Sequence, residues 1–465
     1  MLVQILGAAD CVTGSRHLVR GVDGGLVLLD CGLFQGWKPL RERNWLPLGV
    51  APPSLDAVVL SHAHLDHSGW LPALVRAGFR GRIWCSPATR DLAEVLLLDS
   101  AHLQEEDARR ANRGGWSRHL PAQPLYTRRD AARAIESMRP ITPGKDFSPV
   151  TGMTARLTPA GHLLGACSVT LRDRLHTLVY SGDIGRSDDM LMRAPQAVPD
   201  APDLLLVEST YGDRQHDDSD QQARLAAIVR DTVERGGSVL MPTFAVGRAQ
   251  ALMLLLQRLR RSCEIPASLP IYLDSPMAQA ATRIHLAHAR LMRLSQAELR
   301  TLCEGVTAVE DAADSRRLAR RKTPAVILSS SGMATGGRVL THLAAMAPEP
   351  RHSIVFPGYQ VAGSRGGRLI DGAREIKVMG QIVPVRAEVH HLRGMSGHAD
   401  ASGLIGWMRQ LPAAPAQVLV VHGEPAAADA LRLRIGRDLG WSARVPRPGE
   451  TVPLAVDLSA LEQPD

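Results

Sequence analysis

The sequence of 465 residues is long enough for two domains, without excluding one large unit. Apolar residues make up 45% and charged residues 22% of it, which is ordinary for a folded globular chain and excludes disorder as the default state. The formal net charge of +7 should attract polyanions, but charge alone does not identify nucleic acid as the partner.

Short apolar and β-branched runs, each ending at a polar or glycine-containing turn, predict strands that are buried on both faces. Longer segments between them have a helical pattern, so the predicted fold class is α/β. In chain order the predicted strands are 26–29, 57–60, 155–157, 178–180, 204–207 and 418–421, and the predicted helices are 88–110, 221–235, 247–261 and 426–439.

A second series of strands in the middle of the chain alternates with helices, at 238–242, 270–274, 324–329 and 353–357. This alternation predicts an independent parallel sheet and therefore an inserted domain. Stretches rich in proline and glycine around 194–202 and 371–380 are the predicted crossing points between the domains.

The six cysteines are scattered along the chain without a C-x-x-C pair. This spacing argues against a disulfide framework and against a zinc ribbon. The first residues do not resemble a signal peptide, and no apolar stretch reaches the length of a membrane span. We therefore expect a cytoplasmic protein without a membrane partner.

The most informative segment is SHAHLDHSG at 61–69, which directly follows a predicted strand. It places His62, His64, Asp66 and His67 within six positions. Imidazole and carboxylate groups at this density suit zinc, and residues two apart on an extended segment point the same way. The alternative is a polar turn with incidental histidines, which the density of ligand-type residues disfavours.

Three further candidate ligands also follow strands, namely His162, Asp183 and His422. Each of them taken singly is more often a solvated turn residue. Together with the dense loop they complete two coordination spheres, because loops at the carboxyl edge of a sheet are brought together in such folds. A carboxylate has two oxygens that can bridge two metals, so we assign that role to Asp183.

Asp30 ends an earlier predicted strand. It could accept the second ring N–H of a ligating histidine, as carboxylates often do. It could equally cap a turn, and the sequence leaves both alternatives open.

The order of these motifs resembles the metallo-β-lactamase superfamily. By that resemblance His62, His64 and His162 hold one zinc, Asp66, His67 and His422 hold the other, and Asp183 holds both. The resemblance thus implies two Zn²⁺ per chain, with Mn²⁺ as an alternative metal, and it makes Asp66 and Asp183 catalytic as well as metal-binding.

Later motifs resemble the β-CASP branch, which includes the cleavage and polyadenylation specificity factor nuclease and its bacterial and archaeal homologues. VESTYGD at 207–213 is similar to its motif A, SGHAD at 396–400 to its motif B, and VHGE at 421–424 to its motif C. The segments PTFAVGR at 242–248 and SSGMATGGR at 330–338 are similar to its cap sequences, so the resemblance covers almost the whole chain. One departure is 249–251, where relatives often have an acidic residue and this chain has Ala-Gln-Ala.

The resemblance implies a metallo-β-lactamase αββα sandwich with an inserted β-CASP cap domain that contains a mainly parallel sheet flanked by helices. We place the sandwich at 1–208 and 385–465 and the cap at 209–384. A histidine in motif C is typical of the RNA-processing members, so His422 favours RNA as the substrate. The resemblance also suggests a homodimer.

Hydrolysis of a phosphodiester needs a proton for the departing oxygen. By the resemblance Glu208 orients and charges His398, and His398 protonates the leaving group. Taken without the resemblance, Glu208 could cap the following turn and His398 could be a helix-entry residue.

Five residues are candidates for contact with phosphate or with the RNA chain. Ser396 and the backbone of Ser331 and Gly332, ahead of a helix predicted at 336–345, could bind the anion as helix N-termini do. Arg248, like Arg365, is a candidate for lining an RNA channel, although single arginines are usually solvated.

The sequence therefore predicts a zinc-dependent ribonuclease that uses a metal-bridging hydroxide, endonucleolytic and with 5′-exonucleolytic action left open. Two alternatives remain. A small-molecule metallohydrolase of the thioesterase or lactonase type would share the ligands but need neither Glu208 nor His398. A non-catalytic RNA-binding scaffold would not need intact ligands at every position.

Overall fold

The computed structural model describes residues 1–115, 117, 119–216, 220–361 and 363–454. The chain forms two compact units. The first consists of Met1–Asp188, Ala194–Gln215 and the segment from His398 onward, and the second consists of Asp189–Arg193 and His216–Gly397.

The described residues contain β-strands that we number β1 to β22 in chain order. They are Leu2–Ile5, His17–Arg20, Leu26–Leu29, Ala57–Val59, Arg82–Cys85, Met138–Pro140, Asp146–Phe147, Thr154–Pro159, Cys167–Arg172, Thr177–Tyr180, Leu204–Glu208, Val239–Pro242, Ile271–Asp274, Val306–Ala308, Val326–Ser329, Ser353–Pro357, Glu375–Val378, Gln381–Pro384, Glu388–Leu392, Gln417–Val421, Ala443–Arg444 and Thr451–Pro453.

The α-helices of the same residues are numbered α1 to α14. They are Lys38–Glu42, Leu65–Ser68, Leu71–Arg76, Pro87–Gly114, Arg128–Glu136, Gln221–Glu234, Arg248–Arg261, Pro276–Ala287, Gln296–Thr301, Ala312–Ala319, Val339–Met346, Arg365–Ile370, Ala401–Met408 and Pro425–Leu439. Within the described part of the chain, no helix is both long enough and apolar enough to span a bilayer.

The first unit contains two seven-stranded mixed sheets, with strand orders β22-β1-β2-β3-β4-β5-β6 and β21-β20-β11-β10-β9-β8-β7. Both sheets contribute to one apolar core, in which Val27 and Val59 of the first sheet cluster with Leu178 and Leu206 of the second. Burial of such side chains on the facing sides of two sheets stabilises a sandwich.

The second unit contains a six-stranded sheet of order β14-β13-β15-β12-β16-β19, in which every pairing is parallel. Helix α6 precedes the first of its strands in the chain, and the helices α7 to α12 lie between its strands. The predicted α/β class and the separate parallel sheet are confirmed. Because β19 pairs with β16, this unit continues past residue 384, where the sequence analysis ended the cap.

Candidate metal centre

The candidate ligands of the first unit lie directly after strands. The loop that holds His62 and His64 follows β4, and the next residues form the short helix α2, which contains Asp66 and His67. The three later ligands, His162, Asp183 and His422, follow β8, β10 and β20. Strands of the sandwich thus bring together side chains that are far apart in the sequence.

One group of potential metal ligands consists of His62, His64, His162 and Asp183. The Nδ1 atom of His64 lies 3.2 Å from His62 Nε2 and 3.3 Å from His162 Nε2. The Oδ2 atom of Asp183 lies 3.4 Å from His62 Nε2 and 3.6 Å from His162 Nε2. These four side chains present three nitrogens and one oxygen to a common point.

A second group consists of Asp66, His67 and His422. The Nε2 atoms of His67 and His422 are 3.1 Å apart, and His422 Nε2 is 3.7 Å from Asp66 Oδ2. The other oxygen of Asp183, Oδ1, lies 3.2 Å from His67 Nε2. The two oxygens of Asp183 therefore face the two groups, as a bridging carboxylate requires.

These separations fit a tetrahedral metal. Zinc bonds to nitrogen and oxygen of about 2.0–2.1 Å place neighbouring ligand atoms about 3.3 Å apart in a tetrahedron. In addition, Asp183 Oδ1 is buried and accepts no hydrogen bond from the described residues. A buried carboxylate oxygen in this state is costly unless a cation is close to it.

Burial also prepares the histidines for a metal. It lowers the pKa of His64 to about 4 and the pKa of His62 well below its ordinary value. Both imidazoles are therefore neutral at physiological pH, which is the form that binds a metal.

Asp30 is completely buried, and both oxygens of its carboxylate have hydrogen-bond partners. Its Oδ1 accepts from the backbone N–H of Ser61 at 2.6 Å, and its Oδ2 accepts from the Ser61 hydroxyl at 2.7 Å. The Oδ2 atom also lies 2.7 Å from His67 Nδ1. A proton held on Nδ1 leaves the Nε2 lone pair of His67 to face the ligand cluster. Asp30 thus makes both contacts that the sequence left open, with a histidine ring and with a turn.

Two side chains around the ligands were missed by the sequence analysis. The Tyr180 hydroxyl, in β10, donates to Asp30 Oδ2 at 2.8 Å. The Thr210 hydroxyl lies 3.1 Å from His422 Nδ1. Nothing in the sequence marks a tyrosine at the end of a strand or a threonine in motif A as a partner of a metal ligand. Their contacts become visible only when the strands that carry them are paired in the fold.

The backbone is strained at two of these positions. Asp30 has a φ of 57° and His422 has a φ of 52°, both in the left-handed region that favours glycine. Aspartate and histidine tolerate this region better than most residues, and such conformations cluster at functional sites. The turn after β20 is held by a hydrogen bond of 2.8 Å from the His422 N–H to the carbonyl of Ala8.

Glu208 and His398 form a pair next to the ligand cluster and, together with Asp183, make up a third group of side chains that could hold a metal. His398 Nδ1 lies 3.2 and 3.3 Å from the two oxygens of Glu208, which is completely buried. The carboxylate also accepts backbone N–H groups from Ile184 at 2.7 Å and Thr210 at 3.2 Å. Glu208 therefore supports a turn and binds the imidazole at the same time.

His398 does not cap the helix that follows it. Helix α13 begins at Ala401, and its N-cap is Asp400, whose side chain accepts from the N–H of Gly403. The Nε2 atom of His398 instead lies 3.9 Å from Asp183 Oδ2. Burial acts to lower the pKa of His398, but the carboxylates of Glu208 and Asp183 outweigh it and raise the pKa to about 9. With this pKa the ring is protonated at neutral pH.

The candidates for phosphate contact belong to the second unit. Helix α11 begins at Val339 rather than at residue 336, because Gly337 adopts a φ of 77°. The Ser331 hydroxyl accepts from the N–H of Thr335 at 3.0 Å. A Cβ at Gly332 would lie 2.8 Å from the Phe244 ring, so this glycine permits close packing. Ser331 and Gly332 precede this helix in the chain as expected, but the helix begins three residues later than predicted.

The other three candidates of this unit differ in their surroundings. Arg248 is the first residue of α7 and is partly exposed, and Ser396 is buried after a short turn at Arg393–Met395. Arg365 donates to the carbonyls of Lys377 and Ala334, so its guanidinium is engaged within the unit. Gln250 lies in the stretch 249–251, where relatives often have an acidic residue. Its side chain donates to the Ala278 carbonyl and to the Thr282 hydroxyl, and so joins α7 to α8.

Family models match three parts of the chain. Residues 10–227 match the metallo-β-lactamase superfamily, residues 249–369 match the Beta-Casp domain, and residues 382–446 match the Zn-dependent metallo-hydrolase RNA specificity domain. The predicted fold, a metallo-β-lactamase sandwich with a β-CASP cap, is confirmed by these matches.

The chain is 37% identical to a ribonuclease of Thermus thermophilus, over 98% of this chain and 100% of that protein. It is 35% identical to the transcription termination factor FttA of Pyrococcus abyssi, over 86% of this chain and 62% of that protein. It therefore spans less than two thirds of the length of that archaeal relative. A solved structure titled as a protein of unknown function from Enterococcus faecalis V583 shares the fold, with a TM-score of 0.53, 14% identity and coverage of 97% of this chain and 99% of that one.

Proposed function

Because the chain belongs to the metallo-β-lactamase superfamily, in its β-CASP branch, we propose that it is a zinc-dependent ribonuclease that hydrolyses RNA phosphodiester bonds. The observation that carries the proposal is the contact between His398 and the buried Glu208 beside two groups of metal ligands. A hydrolase of small thioesters or lactones has no use for this pair, so the alternative is disfavoured.

We assign two Zn²⁺ to each chain, with Mn²⁺ as an alternative metal. The first would be held by His62, His64 and His162, the second by Asp66, His67 and His422, and Asp183 would be a ligand of both. Bound zinc supplies Lewis-acid stabilisation of the phosphate and lowers the pKa of water, which makes hydroxide available near neutrality. Asp30 supports the second set by holding the ring of His67.

The proton for the departing oxygen comes from His398. Its Nδ1 is held by Glu208, which leaves Nε2 directed toward the ligand cluster, 3.9 Å from Asp183 Oδ2. Glu208 fixes the orientation of the ring and favours its cationic form, since two carboxylates face it. This arrangement matches the need of a leaving alkoxide for a neighbouring acid.

RNA rather than DNA is the proposed substrate, because the motif C residue is His422 and because a relative of equal length is named a ribonuclease. The action is endonucleolytic, and 5′-exonucleolytic action is a second mode of the same site. We place Ser331, Gly332, Ser396 and Arg248 on the path of the RNA backbone. The protein acts in the cytoplasm as a homodimer.

The test is incubation of zinc-loaded protein with end-labelled RNA and DNA of equal sequence, followed by sizing of the products on a gel. Internal cuts in RNA and intact DNA are expected. Release of single nucleotides from the 5′ end would identify the exonucleolytic mode. If RNA remained intact in both zinc and manganese while a thioester or lactone was hydrolysed, the proposal would be rejected.

A further inference from the structure

Two tryptophans of the first unit are exposed close together in the chain. The side chains of Trp37 and Trp45 are 58% and 61% accessible, and the adjacent Leu46 is 58% accessible. The other tryptophans that the structure describes are buried or partly buried. Large apolar side chains exposed in a group mark a surface that binds something. We call Trp37, Trp45 and Leu46 the aromatic platform.

The segment that carries the platform is anchored to the protein at Asn44, next to Trp45. The buried Asn44 accepts from the Phe34 N–H at 2.9 Å and donates to the Phe34 carbonyl at 2.8 Å. The carbonyl of Asn44 accepts from the indole of Trp70 at 2.9 Å. Helix α1 and a 3-10 turn at Arg43–Trp45 fill the segment between the two exposed rings. A surface held in this way loses little conformational entropy when it binds a ligand.

A buried arginine reinforces this anchor. Arg16 is almost inaccessible, and its guanidinium lies 4.5 Å from the centre of the Trp70 ring and 5.0 Å from that of Phe34. It donates to the Gly32 carbonyl at 2.7 and 2.9 Å and to Asn44 Oδ1 at 3.3 Å. The cation therefore joins the base of the platform to the strand-end loop that follows β3.

The same loop packs against the metal ligands. The Cys31 N–H donates to the carbonyl of His67 at 2.7 Å, and the Leu33 N–H donates to the carbonyl of Leu65 at 2.8 Å. A Cβ added at Gly32 would lie 1.6 Å from the Asp66 carbonyl oxygen, so the two backbones are in direct contact. The platform thus belongs to the first unit, and the loop to which it is attached contacts the backbone of Asp66 and His67.

The charge of the segment suits an anionic chain. Lys38, Arg41 and Arg43 lie between the two tryptophans, against one carboxylate at Glu42. Arg43 lies over the Phe34 ring at 4.1 Å, and Lys38 pairs with Glu42 across exposed surface. Aromatic rings interleaved with cations are what unpaired nucleic acid bases and their phosphates require.

We propose that Trp37 and Trp45 stack against unpaired bases of the RNA substrate and hold a single-stranded segment beside the metal centre. This inference rests on the proposed ribonuclease function and adds to it a surface that binds unpaired bases. The net positive charge of the segment favours RNA over a second copy of this chain as the occupant, since two copies of a segment with three cations and one carboxylate would repel each other.

The experiment measures RNA affinity in a His398→Ala background, which prevents turnover during the titration. Zinc-loaded protein is titrated with a single-stranded RNA and with a duplex RNA of the same length. Replacing either Trp37 or Trp45 by alanine should weaken binding of the single strand roughly tenfold, and the double variant should weaken it further. Binding of the duplex should stay unchanged, because its bases are not free to stack.

Two control variants separate stacking from general effects. Trp37→Phe retains an aromatic face and should keep most of the affinity. Leu433→Ala removes an exposed apolar side chain on α14 of the same unit and should leave the affinity unchanged. Tryptophan fluorescence should fall when the single strand binds and should change much less in the double alanine variant.

Three outcomes contradict the inference. Unchanged single-strand affinity in the double variant would overturn it, as would equal losses for the single strand and the duplex. Conversion of a dimer to a monomer by the double variant, seen in the mass in solution, would identify the platform as an interface between copies. Failure of the proposed function is separate, because it would appear as intact RNA with the unmodified protein.

Discussion

The carboxylate of Asp30 lies 2.7 Å from Nδ1 of His67, and both side chains are completely inaccessible to solvent. Because this contact fixes which ring nitrogen carries the proton, Asp30 should control metal binding without touching the metal.

We predict that Asp30→Asn lowers zinc affinity by about 10–100-fold while the chain stays folded. The substitution keeps the volume but weakens the hold on the His67 ring. Zinc content after dialysis against a graded chelator measures the change. Asp107→Asn, at an exposed position on α4, is the matched control and should retain full zinc. Wild-type zinc affinity in Asp30→Asn would remove the supporting role of Asp30.

Tyr180 should act on the metal through Asp30. Tyr180→Phe removes the hydroxyl that donates to Asp30 and preserves the buried ring, so stability should fall by about 1 kcal/mol. We also expect a measurable loss of zinc affinity, smaller than that of Asp30→Asn.

Tyr126→Phe is the matched control, since the Tyr126 hydroxyl is also buried and lies 2.7 Å from the Ser100 hydroxyl, with no metal ligand among its hydrogen-bond partners. Its stability loss should be similar and its zinc affinity unchanged. Equal zinc affinity in the two variants would show that the Tyr180 hydroxyl is purely structural.

The candidate ligands could be selected from the sequence because their signal is local, and the structure brings their side chains together. His62, His64 and His67 occur at ligand spacing after a predicted strand, and Asp183 follows another strand directly. The α/β class followed from apolar runs of strand length, such as the one that forms β11, which is buried throughout. These features depend on neighbouring residues alone.

Features that depend on pairing between distant strands were not predictable. Tyr180 reaches Asp30 only because β10 and β3 face each other across the core that both sheets share. The exposure of Trp37 and Trp45 could not be predicted, because the sequence does not distinguish an exposed tryptophan from a buried one. The helix predicted from residue 336 begins at Val339, since Gly337 before it adopts a left-handed backbone.

His64 and His398 should separate metal binding from proton transfer. His64→Ala should lose zinc and all cleavage, because His64 Nδ1 is close to both His62 and His162. His398→Ala should retain its zinc and lose turnover by about 10²–10⁴-fold, the usual contribution of a general acid. Metal analysis and single-turnover cleavage of RNA on the same samples measure both effects.

His102→Ala, at an exposed position on α4, is the control for loss of a histidine and should behave as the unmodified protein. A fully active His398→Ala enzyme would exclude His398 as the proton donor. Loss of zinc in that variant would instead make His398 a metal ligand.

Asp274 should govern the acid stability of the second unit. Its buried carboxylate lies 2.6 Å from His342 Nε2 and accepts from Ser315 at 2.5 Å and from Arg338 at 2.8 Å. Burial acts to raise the pKa of Asp274, but the contacts with His342, Ser315 and Arg338 outweigh it and hold the pKa below the ordinary value.

A carboxyl group with a depressed pKa in the folded state stabilises the fold above its unfolded pKa of about 3.9, and this stability is lost as the pH falls through the folded value. We therefore predict that Asp274→Asn lowers the free energy of unfolding at pH near 7 by about 3–5 kcal/mol, because His342 and Arg338 lose their charged partner. As the pH falls below about 4 the difference between the two proteins should shrink, since the carboxyl group of the unfolded chain is protonated first and that of the folded chain follows at its lower pKa. Urea unfolding at both pH values measures it, and a difference that stayed constant would show that Asp274 acts by packing and not by charge.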